Sequence, residues 1–200
     1  MSENLSTTTR DRLVAAVAEL MRVQGYSAIT VKQITAAASA PMGSLYHHFP
    51  AGKSAIAAES LRTSGAAYIQ LLPLLMDAHD DLCEAVPAAF AAAAETIEQN
   101  GWINMCPVGT VAGEVADSAP EIRDVAAEVM TSWIDQGTEY FIRRGLPDGD
   151  ARELMIAILC ALEGAFVLSR TLRSKEPLLA AGRAMGARVS ELMASKVSPA

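Results

Sequence analysis

The chain has 200 residues, about half of them hydrophobic, and a formal net charge of −7 at pH 7. This length allows one large domain, or a small domain joined to a larger one. The acidic balance disfavours non-specific nucleic-acid binding by the whole molecule. No uninterrupted apolar run reaches the ~18 residues of a membrane span, so no membrane association is expected. Three separated cysteines without a CxxC pair fit a reducing compartment, which predicts a cytoplasmic protein.

The first predicted helix runs from about Thr8 to Gln24. Two shorter helical patterns follow. Thr30 and Gln33 have the spacing of a capping box, so a second helix is predicted to begin at the next residue, Val31. The Ser-Ala-Pro sequence at 39–41 interrupts this pattern, because proline disfavours helix at the residue before it and fits the first turn of the next helix.

The third predicted helix reads Met-Gly-Ser-Leu-Tyr-His-His-Phe over residues 42–49. Leu45 and Phe49 face inward, which leaves small and hydrogen-bonding residues outside. A short exposed helix supported by a short buried one is typical of a helix-turn-helix that reads the DNA major groove. Residues 1–55 carry five Lys or Arg against three acids, or +2, whereas the remainder carries eleven against twenty, or −9. The positive charge is therefore concentrated on the segment predicted to meet DNA.

Six further helical patterns follow, over 53–72, 80–99, a short stretch within 102–117, 118–144, 150–173 and 177–195. Pro73 is expected to end or kink the first of them. No segment alternates as a strand does. We therefore predict an all-α protein of about nine helices, with a three-helix DNA-binding domain at 1–52 and a helical ligand-binding and dimerisation bundle at 53–200.

The last two predicted helices are apolar on more than one side, and such helices are buried all round. Gly182 and Gly186 would let another helix approach closely. We expect a second copy of the chain to cover these helices and form a homodimer, which two major-groove half-sites also require.

The candidate DNA contacts lie in and around the helix-turn-helix: Thr30, Lys32, Met42, Gly43, Ser44, Tyr46, His47, His48 and Lys53. Tyr46 is either a phosphate donor or a core aromatic with one wet edge, and the inward placement of Leu45 and Phe49 favours the phosphate. Lys32 is either a solvated charge or a base contact. Gly43 allows close backbone approach, and the adjacent serine hydroxyl can serve any base.

His47 and His48 are either plain surface residues or phosphate contacts, with His48 slightly favoured. Metal binding by this pair is not expected, because no cysteine or acidic ligand lies nearby. Thr30 is a plain helix cap, or a phosphate contact at a helix N-terminus where unpaired amides attract anions.

The Gly-Ser-Leu-Tyr-His-His-Phe run followed by Lys53 resembles the DNA-binding domain of the TetR family of bacterial repressors, over roughly residues 8–60. The resemblance implies a dimeric repressor on a palindromic operator, with phosphate contacts from Thr30 and Lys53 and a base contact from Lys32. Ser39 stands where many relatives have glycine, which costs little if the backbone there avoids positive φ. Met42 stands where many have a long polar residue.

Three segments resemble a narrower group, the repressors of drug-efflux genes that answer lincomycin-like or flavonoid-like compounds. They are Cys-Pro-Val-Gly-Thr-Val-Ala at 106–112, Glu-Gly-Ala at 163–165, and Arg170. This resemblance implies derepression by a small hydrophobic or aromatic effector.

The candidate effector contacts are mostly large, adaptable residues of the predicted bundle: Phe90, Trp102, Met105, Cys106, Met130, Trp133, Phe141, Met155, Leu159, Glu163 and Phe166. Each could equally belong to an ordinary helical core, although two tryptophans and several methionines are typical of an adaptable aromatic site. Glu163, if buried, needs an arginine, a backbone amide or a ligand hydroxyl as its partner. Cys106 is either an inert small hydrophobe or a redox sensor.

Motifs of catalysis are missing from the sequence: there is no Gly-x-Ser-x-Gly, phosphate-binding glycine loop, HExxH or closely spaced Cys-His pair. No enzyme, cofactor or metal is therefore expected. Three other hypotheses stay open, namely a helical enzyme, a regulator switched through Cys106, and a DNA-binding protein that has no effector. An enclosed cavity would favour the effector-responsive repressor.

Overall fold

A computed structural model describes residues 8–103 and 106–195. These described residues form ten α-helices and no strand, which confirms the all-α prediction. The helices are α1 Thr9–Gln24, α2 Val31–Ala37, α3 Met42–His48, α4 Lys53–Ile69, α5 Leu71–Met76, α6 Leu82–Gln99, α7 Pro107–Val115, α8 Pro120–Arg143, α9 Asp148–Leu172 and α10 Glu176–Ser195. The count exceeds the predicted nine because the fourth predicted helix divides at Gln70. Pro73 lies in the first turn of α5, where its missing N–H needs no partner.

The first three helices form as the sequence predicts. Capping boxes at Thr8 and Thr30 begin α1 and α2, and Gly25 ends α1 with a φ of +78°. The turn into α3 differs from expectation, because Ser39 has a φ of +49°. A residue with a side chain pays about 1–2 kcal/mol in this left-handed region, so serine in place of glycine has a conformational cost here.

Contacts divide the described residues into two compact units. Those of Met1–Ala66 and Cys106–Val129 form unit 1, and those of Ala67–Met105 and Met130–Ala200 form unit 2. Within unit 1, α7 packs against α1, and the buried Ser60 hydroxyl of α4 donates to the Val14 carbonyl at 2.9 Å. This division differs from the boundary predicted at residues 52 and 53, because α7 packs against α1 and, with the start of α8, belongs to unit 1.

Close helix packing in unit 2 joins α6 to α10. A Cβ on Gly182 would lie 2.7 Å from Phe90 Cβ, and a Cβ on Gly186 would lie 2.6 Å from Pro87 Cγ. The predicted close approach at both glycines is therefore confirmed. The neighbour is α6 of the same chain, however, so the assignment of these glycines to a dimer contact was wrong.

One side of α9 is buried and the other is apolar yet exposed. Leu154, Met155 and Phe166 lie in the core. Ile156 and Val167 on the opposite side are exposed, as are Leu168 and Leu172 further round the helix. By length and composition α9 could cross a membrane, since an 18-residue window has a mean hydropathy of 1.7. Glu163 interrupts its apolar run, as expected, and helices of soluble cores share this composition.

Candidate functional site

The outer face of α3 presents the predicted recognition residues. Met42 and Tyr46 are 50% and 49% exposed, and a Cβ on Gly43 would meet nothing within 4 Å. Leu45 and Phe49 are buried, as predicted. The two histidine rings lie edge-to-face at 5.1 Å, with His47 exposed and His48 half-buried, as is Ser44. This helix therefore offers a polar, open surface on an apolar base.

Most basic side chains near this surface already have partners within unit 1. Arg10 pairs with Glu59 at 2.9 Å, Arg22 pairs with Glu19, and the Arg12 guanidinium donates to the Ala38 carbonyl at 3.3 Å. Lys32 is exposed on α2 and makes no ion pair within residues 8–103 and 106–195. Its ammonium is thus available for an external anion.

Thr30 uses both capacities of its hydroxyl in the cap of α2. The oxygen accepts from the Gln33 amide N–H at 3.3 Å, and the hydroxyl donates to Gln33 Oε1 at 2.8 Å. A phosphate contact at Thr30 therefore has to compete with Gln33 for the hydroxyl hydrogen.

A carboxylate from α7 fixes the turn between α1 and α2. Glu114 accepts the amide N–H groups of Tyr26 and Ser27 at 2.6 and 2.7 Å. On the same turn, Lys53 Nζ donates to the Ser27 carbonyl at 3.4 Å and lies 4.4 Å from the Tyr26 ring centroid. Burial lowers the pKa of Lys53, and the nearby Glu114 charge opposes this shift.

This arrangement stabilises the ionised form of Glu114. Burial raises its pKa, but the Ser27 and Tyr26 N–H groups and the Lys53 charge outweigh that effect and lower it. No local sequence pattern predicts this contact, because Glu114 and the turn are separated by nearly 90 positions.

Unit 2 contains an apolar cavity of about 310 Å³. This volume is within the range of small-molecule sites. Its walls come from α4, α5, α6, α8 and α9: Tyr68, Ile69, Leu71, Leu72, Leu75, Met76, Val86, Ala89, Phe90, Ala92, Ala93, Thr96, Trp133, Met155, Ile158, Leu159, Leu162 and Phe166.

Polar groups in the wall are few and uncharged. They belong to the lining residues Tyr68, Thr96 and Trp133. The Tyr68 and Trp133 rings lie 5.5 Å apart at an angle of 33°, and Thr96 Oγ1 donates to the Ala92 carbonyl at 2.7 Å. The wall therefore suits an aromatic molecule and offers little to a charged one.

Five of the predicted effector contacts meet at this cavity: Phe90, Trp133, Met155, Leu159 and Phe166. The α4 and α5 part of the wall was not predicted, because that segment reads as a connection between domains. Its signal was the Leu-Leu-Pro-Leu-Leu-Met run at 71–76, which is too apolar for an ordinary linker.

The other predicted contacts do not line this cavity. Trp102 follows α6 with a φ of +64°, Met130 is half-buried on α8, and Phe141 is fully buried beside Tyr140. Met105 lies outside the described residues. Large size and helical location therefore did not distinguish wall residues from core residues.

Cys106 and Glu163 also lie away from the described wall. Cys106 belongs to unit 1, where it is buried and its Sγ accepts the Gly109 N–H at 3.5 Å as the N-cap of α7. This placement favours a structural thiol over a redox sensor. Glu163 is half-buried on α9, and burial raises its pKa to about 6.

Comparisons with known proteins match two segments of the chain. Residues 13–59 match the tetR family of bacterial regulatory proteins, and residues 83–184 match the C-terminal domain described as LmrA/YxaF-like transcriptional regulator. The HTH-type transcriptional regulator YxaF of Bacillus subtilis is 32% identical over 86% of this chain and 90% of its own length.

The chain belongs to the TetR family. The HTH-type regulator LmrA of Bacillus subtilis is 28% identical over 86% of this chain and 91% of its own length. A TetR regulatory protein from Rhodobacter sphaeroides has the same fold, with a TM-score of 0.76 and 23% identity over 90% of this chain and 98% of that one.

Membership of the TetR family makes the protein a DNA-binding transcriptional regulator, since the family and these relatives are regulators rather than enzymes. The surface of α2 and α3 is its helix-turn-helix, as the sequence predicted. The narrower likeness to LmrA-type regulators is also confirmed.

Proposed function

We propose that this TetR-family protein is a cytoplasmic repressor that binds a palindromic operator as a homodimer and is released by a small, neutral, hydrophobic or aromatic effector. The observation that supports effector response is the apolar cavity of about 310 Å³ in unit 2. The last residues of α4, Tyr68 and Ile69, belong to its wall, and the same helix begins at Lys53, directly after the helix-turn-helix. A ligand that displaces the end of α4 thus acts on the helix that leads into the DNA reader.

The neutrality of the effector follows from the wall. Burying an unpaired charge costs several kcal/mol or more, and the lining residues of this cavity offer no countercharge. The three polar groups can orient a hydroxyl or carbonyl of the ligand. Among the compounds suggested by resemblance, a flat neutral polyphenol therefore fits this cavity better than a cationic antibiotic.

The proposed dimer interface is the exposed apolar side of α9. Ile156, Cys160, Gly164 and Val167 are exposed and repeat at helical spacing on this side. An exposed stripe of apolar and small residues on one helix side is typical of an interaction site. A second copy related by two-fold symmetry would cover both surfaces and would present two recognition helices to two half-sites.

On DNA, the exposed face of α3 is proposed to enter the major groove. Gly43 and Ser44 approach base edges, while Tyr46 and His48 donate to phosphates. Met42 contributes an apolar contact, for which a thymine methyl is the natural partner. Lys32, the exposed cation of α2, contacts the duplex, and Lys53 must rearrange from the Ser27 carbonyl to do so.

Selection from random duplexes tests the DNA half of this proposal. We expect enrichment of an inverted repeat, with half-sites about one helical turn or a multiple of it apart. Enrichment of a single unrepeated site would contradict the dimeric mode of binding.

Fluorescence and DNA release test the effector half. A Trp102→Phe background leaves Trp133, a wall residue, as the only tryptophan. Neutral flavonoids should quench Trp133 and release operator DNA over the same concentration range. The effector must prefer the DNA-incompetent state by about 1–3 kcal/mol, which weakens operator affinity about 5- to 150-fold. Quenching without release would reduce the site to a passive cavity.

A further inference from the structure

The wall formed by α5 differs from the other walls of the cavity. This helix has six residues, and four of them, Leu71, Leu72, Leu75 and Met76, line the cavity. Only Met76 is buried, whereas Leu74 on the outer side is 73% exposed. The remaining walls belong to helices of 17 to 25 residues. α5 is therefore the shortest helix in the wall of this cavity, which is itself partly open to solvent.

Internal bonding in α5 is also weak at its beginning. The Leu74 N–H reaches the Gln70 carbonyl at 3.5 Å, which is a long hydrogen bond. A short helix with little buried apolar surface opens at low cost relative to the elements around it. By this criterion α5 is the wall that moves most readily.

The C-terminal end of α5, in contrast, is held by a polar cluster from the end of α8. Arg144 Nη2 donates to the His79 and Asp80 carbonyls at 2.6 and 3.1 Å, directly after α5. Its Nη1 donates to the Tyr140 hydroxyl at 2.6 Å. That hydroxyl donates in turn to Asp77 Oδ1 at 2.7 Å, and Asp77 is the C-cap of α5.

Partial burial makes this cluster effective. The Arg144 side chain is 19% exposed and the Asp77 side chain 60%, so shielding from water strengthens the bond from Arg144 to the His79 carbonyl more than the bonds at Asp77. Burial, followed by the bond to Asp77, raises the pKa of Tyr140 to about 12, so the hydroxyl keeps its proton as a donor at neutral pH. One end of α5 is thus anchored, while the helix packs against α6 and exposes Leu74 on its outer side.

We propose that α5 is the gate through which the effector enters and leaves the cavity, and that Arg144 is the positioning residue that anchors the end about which this gate opens. The proposal rests on the effector cavity of the proposed function. It assigns Arg144, Tyr140 and Asp77 no contact with the effector. They set how often the α5 wall opens.

Arg144→Ala in the Trp102→Phe background tests the anchor, with N-phenyl-1-naphthylamine as a neutral apolar probe and Trp133 quenching as the readout. Loss of the charged hydrogen bonds should raise the dissociation rate of the probe about tenfold. Tyr140→Phe, which removes one hydroxyl, should raise it less, and Arg144→Lys should lie between Arg144→Ala and the parent.

Arg143→Ala is the matched control. It removes the same charge one residue earlier, where the side chain is 67% exposed, its ion pair to Glu139 is 4.0 Å long and its guanidinium lies 6.0 Å from the Tyr140 ring centroid without a hydrogen bond to the hydroxyl. Hydrogen exchange provides a measurement that needs no ligand. Amides at 71–80 should exchange faster in Arg144→Ala than in Arg143→Ala, while those of α6 stay unchanged. Tyr140→Phe serves the same comparison if Arg144→Ala does not fold.

Equal exchange and equal probe dissociation in the Arg144 and Arg143 variants would overturn the gate. Failure of the probe to bind the parent would overturn the cavity as an effector site, and the gate with it. Probe binding with the expected variant effects, but without release of operator DNA, would support the gate and contradict only the regulatory part of the proposed function.

Discussion

The helix-turn-helix surface and the cavity use their functional side chains in opposite ways. Met42 and Tyr46 project into solvent from a base made by Leu45 and Phe49, so recognition and stability belong to different residues. In the cavity, Phe90 and Phe166 are both wall and core. The DNA surface can therefore change its sequence preference at little cost to the fold, whereas a change of effector preference also changes stability.

Replacing a wall aromatic should give the largest effect and would test this contrast directly. Phe166→Ala is expected to destabilise unit 2 by about 3–5 kcal/mol, because it enlarges an existing cavity within the core. Met42→Ala should change stability by no more than about 0.5 kcal/mol. Urea unfolding of both variants measures the difference, and similar losses would break the comparison.

Packing at α10 should have the next largest effect, without changing association. A Cβ at residue 182 would already lie 2.7 Å from Phe90 Cβ. Gly182→Leu should therefore destabilise the protein by about 1–3 kcal/mol. Sedimentation should nevertheless show the parental oligomer, because this contact is within one chain. Val167→Arg, on the exposed side of α9, should instead yield monomer; the reverse outcome would move the interface to α10.

Glu114 should contribute on the order of 1 kcal/mol through its two exposed, charge-assisted hydrogen bonds. Because its pKa is lowered in the folded protein, this contribution is complete above the unfolded pKa near 4.5 and is lost as the pH falls through the folded value. Stability of Glu114→Gln should therefore depend less on pH than the parent below about pH 5. Asp117→Asn, at an exposed position after α7, is the control.

Ser39→Gly should stabilise the protein by about 1 kcal/mol or less. Glycine relieves the left-handed strain at φ +49° but loses more chain entropy on folding, so the two effects partly cancel. Operator preference should stay unchanged, since Ser39 lies in the turn before α3 and not on the recognition helix itself. A melting temperature below that of the parent would show that the serine side chain makes a compensating contact.

Lys32→Ala should leave stability nearly unchanged and yet reduce the salt dependence of DNA binding by about one unit of slope, if its ammonium replaces a phosphate counterion. An unchanged slope with altered base preference would instead assign it to a base edge. Lys53→Ala should affect both DNA binding and stability, because its ammonium also contacts the Ser27 carbonyl and the Tyr26 ring.

Local sequence signals predicted the parts of this protein whose causes are local. The capping box at Thr30 and the inward spacing of Leu45 and Phe49 determined α2 and α3 almost to the residue. The positive φ of Ser39 was not predicted, because it depends on how the second helix is directed onto the third.

Contacts between distant segments account for what the sequence did not predict. Glu114 bonds to the turn after α1, and Arg144 bonds to the segment after α5. Neither contact corresponds to a periodic pattern in the sequence. The sequence does not distinguish the environments of Trp102 and Trp133, yet of the two only Trp133 lines the described cavity. Composition thus indicated a cavity in the bundle, and tertiary packing decided which residues line it.

The exposed thiol of Cys160 has a practical consequence. It lies on α9 one turn after Ile156, on the apolar side, while Cys106 is buried and Cys83 half-buried. Maleimide should therefore alkylate Cys160 first in dilute protein. If two copies meet at this side, raising the protein concentration should slow that reaction, so the chain carries its own chemical reporter of self-association.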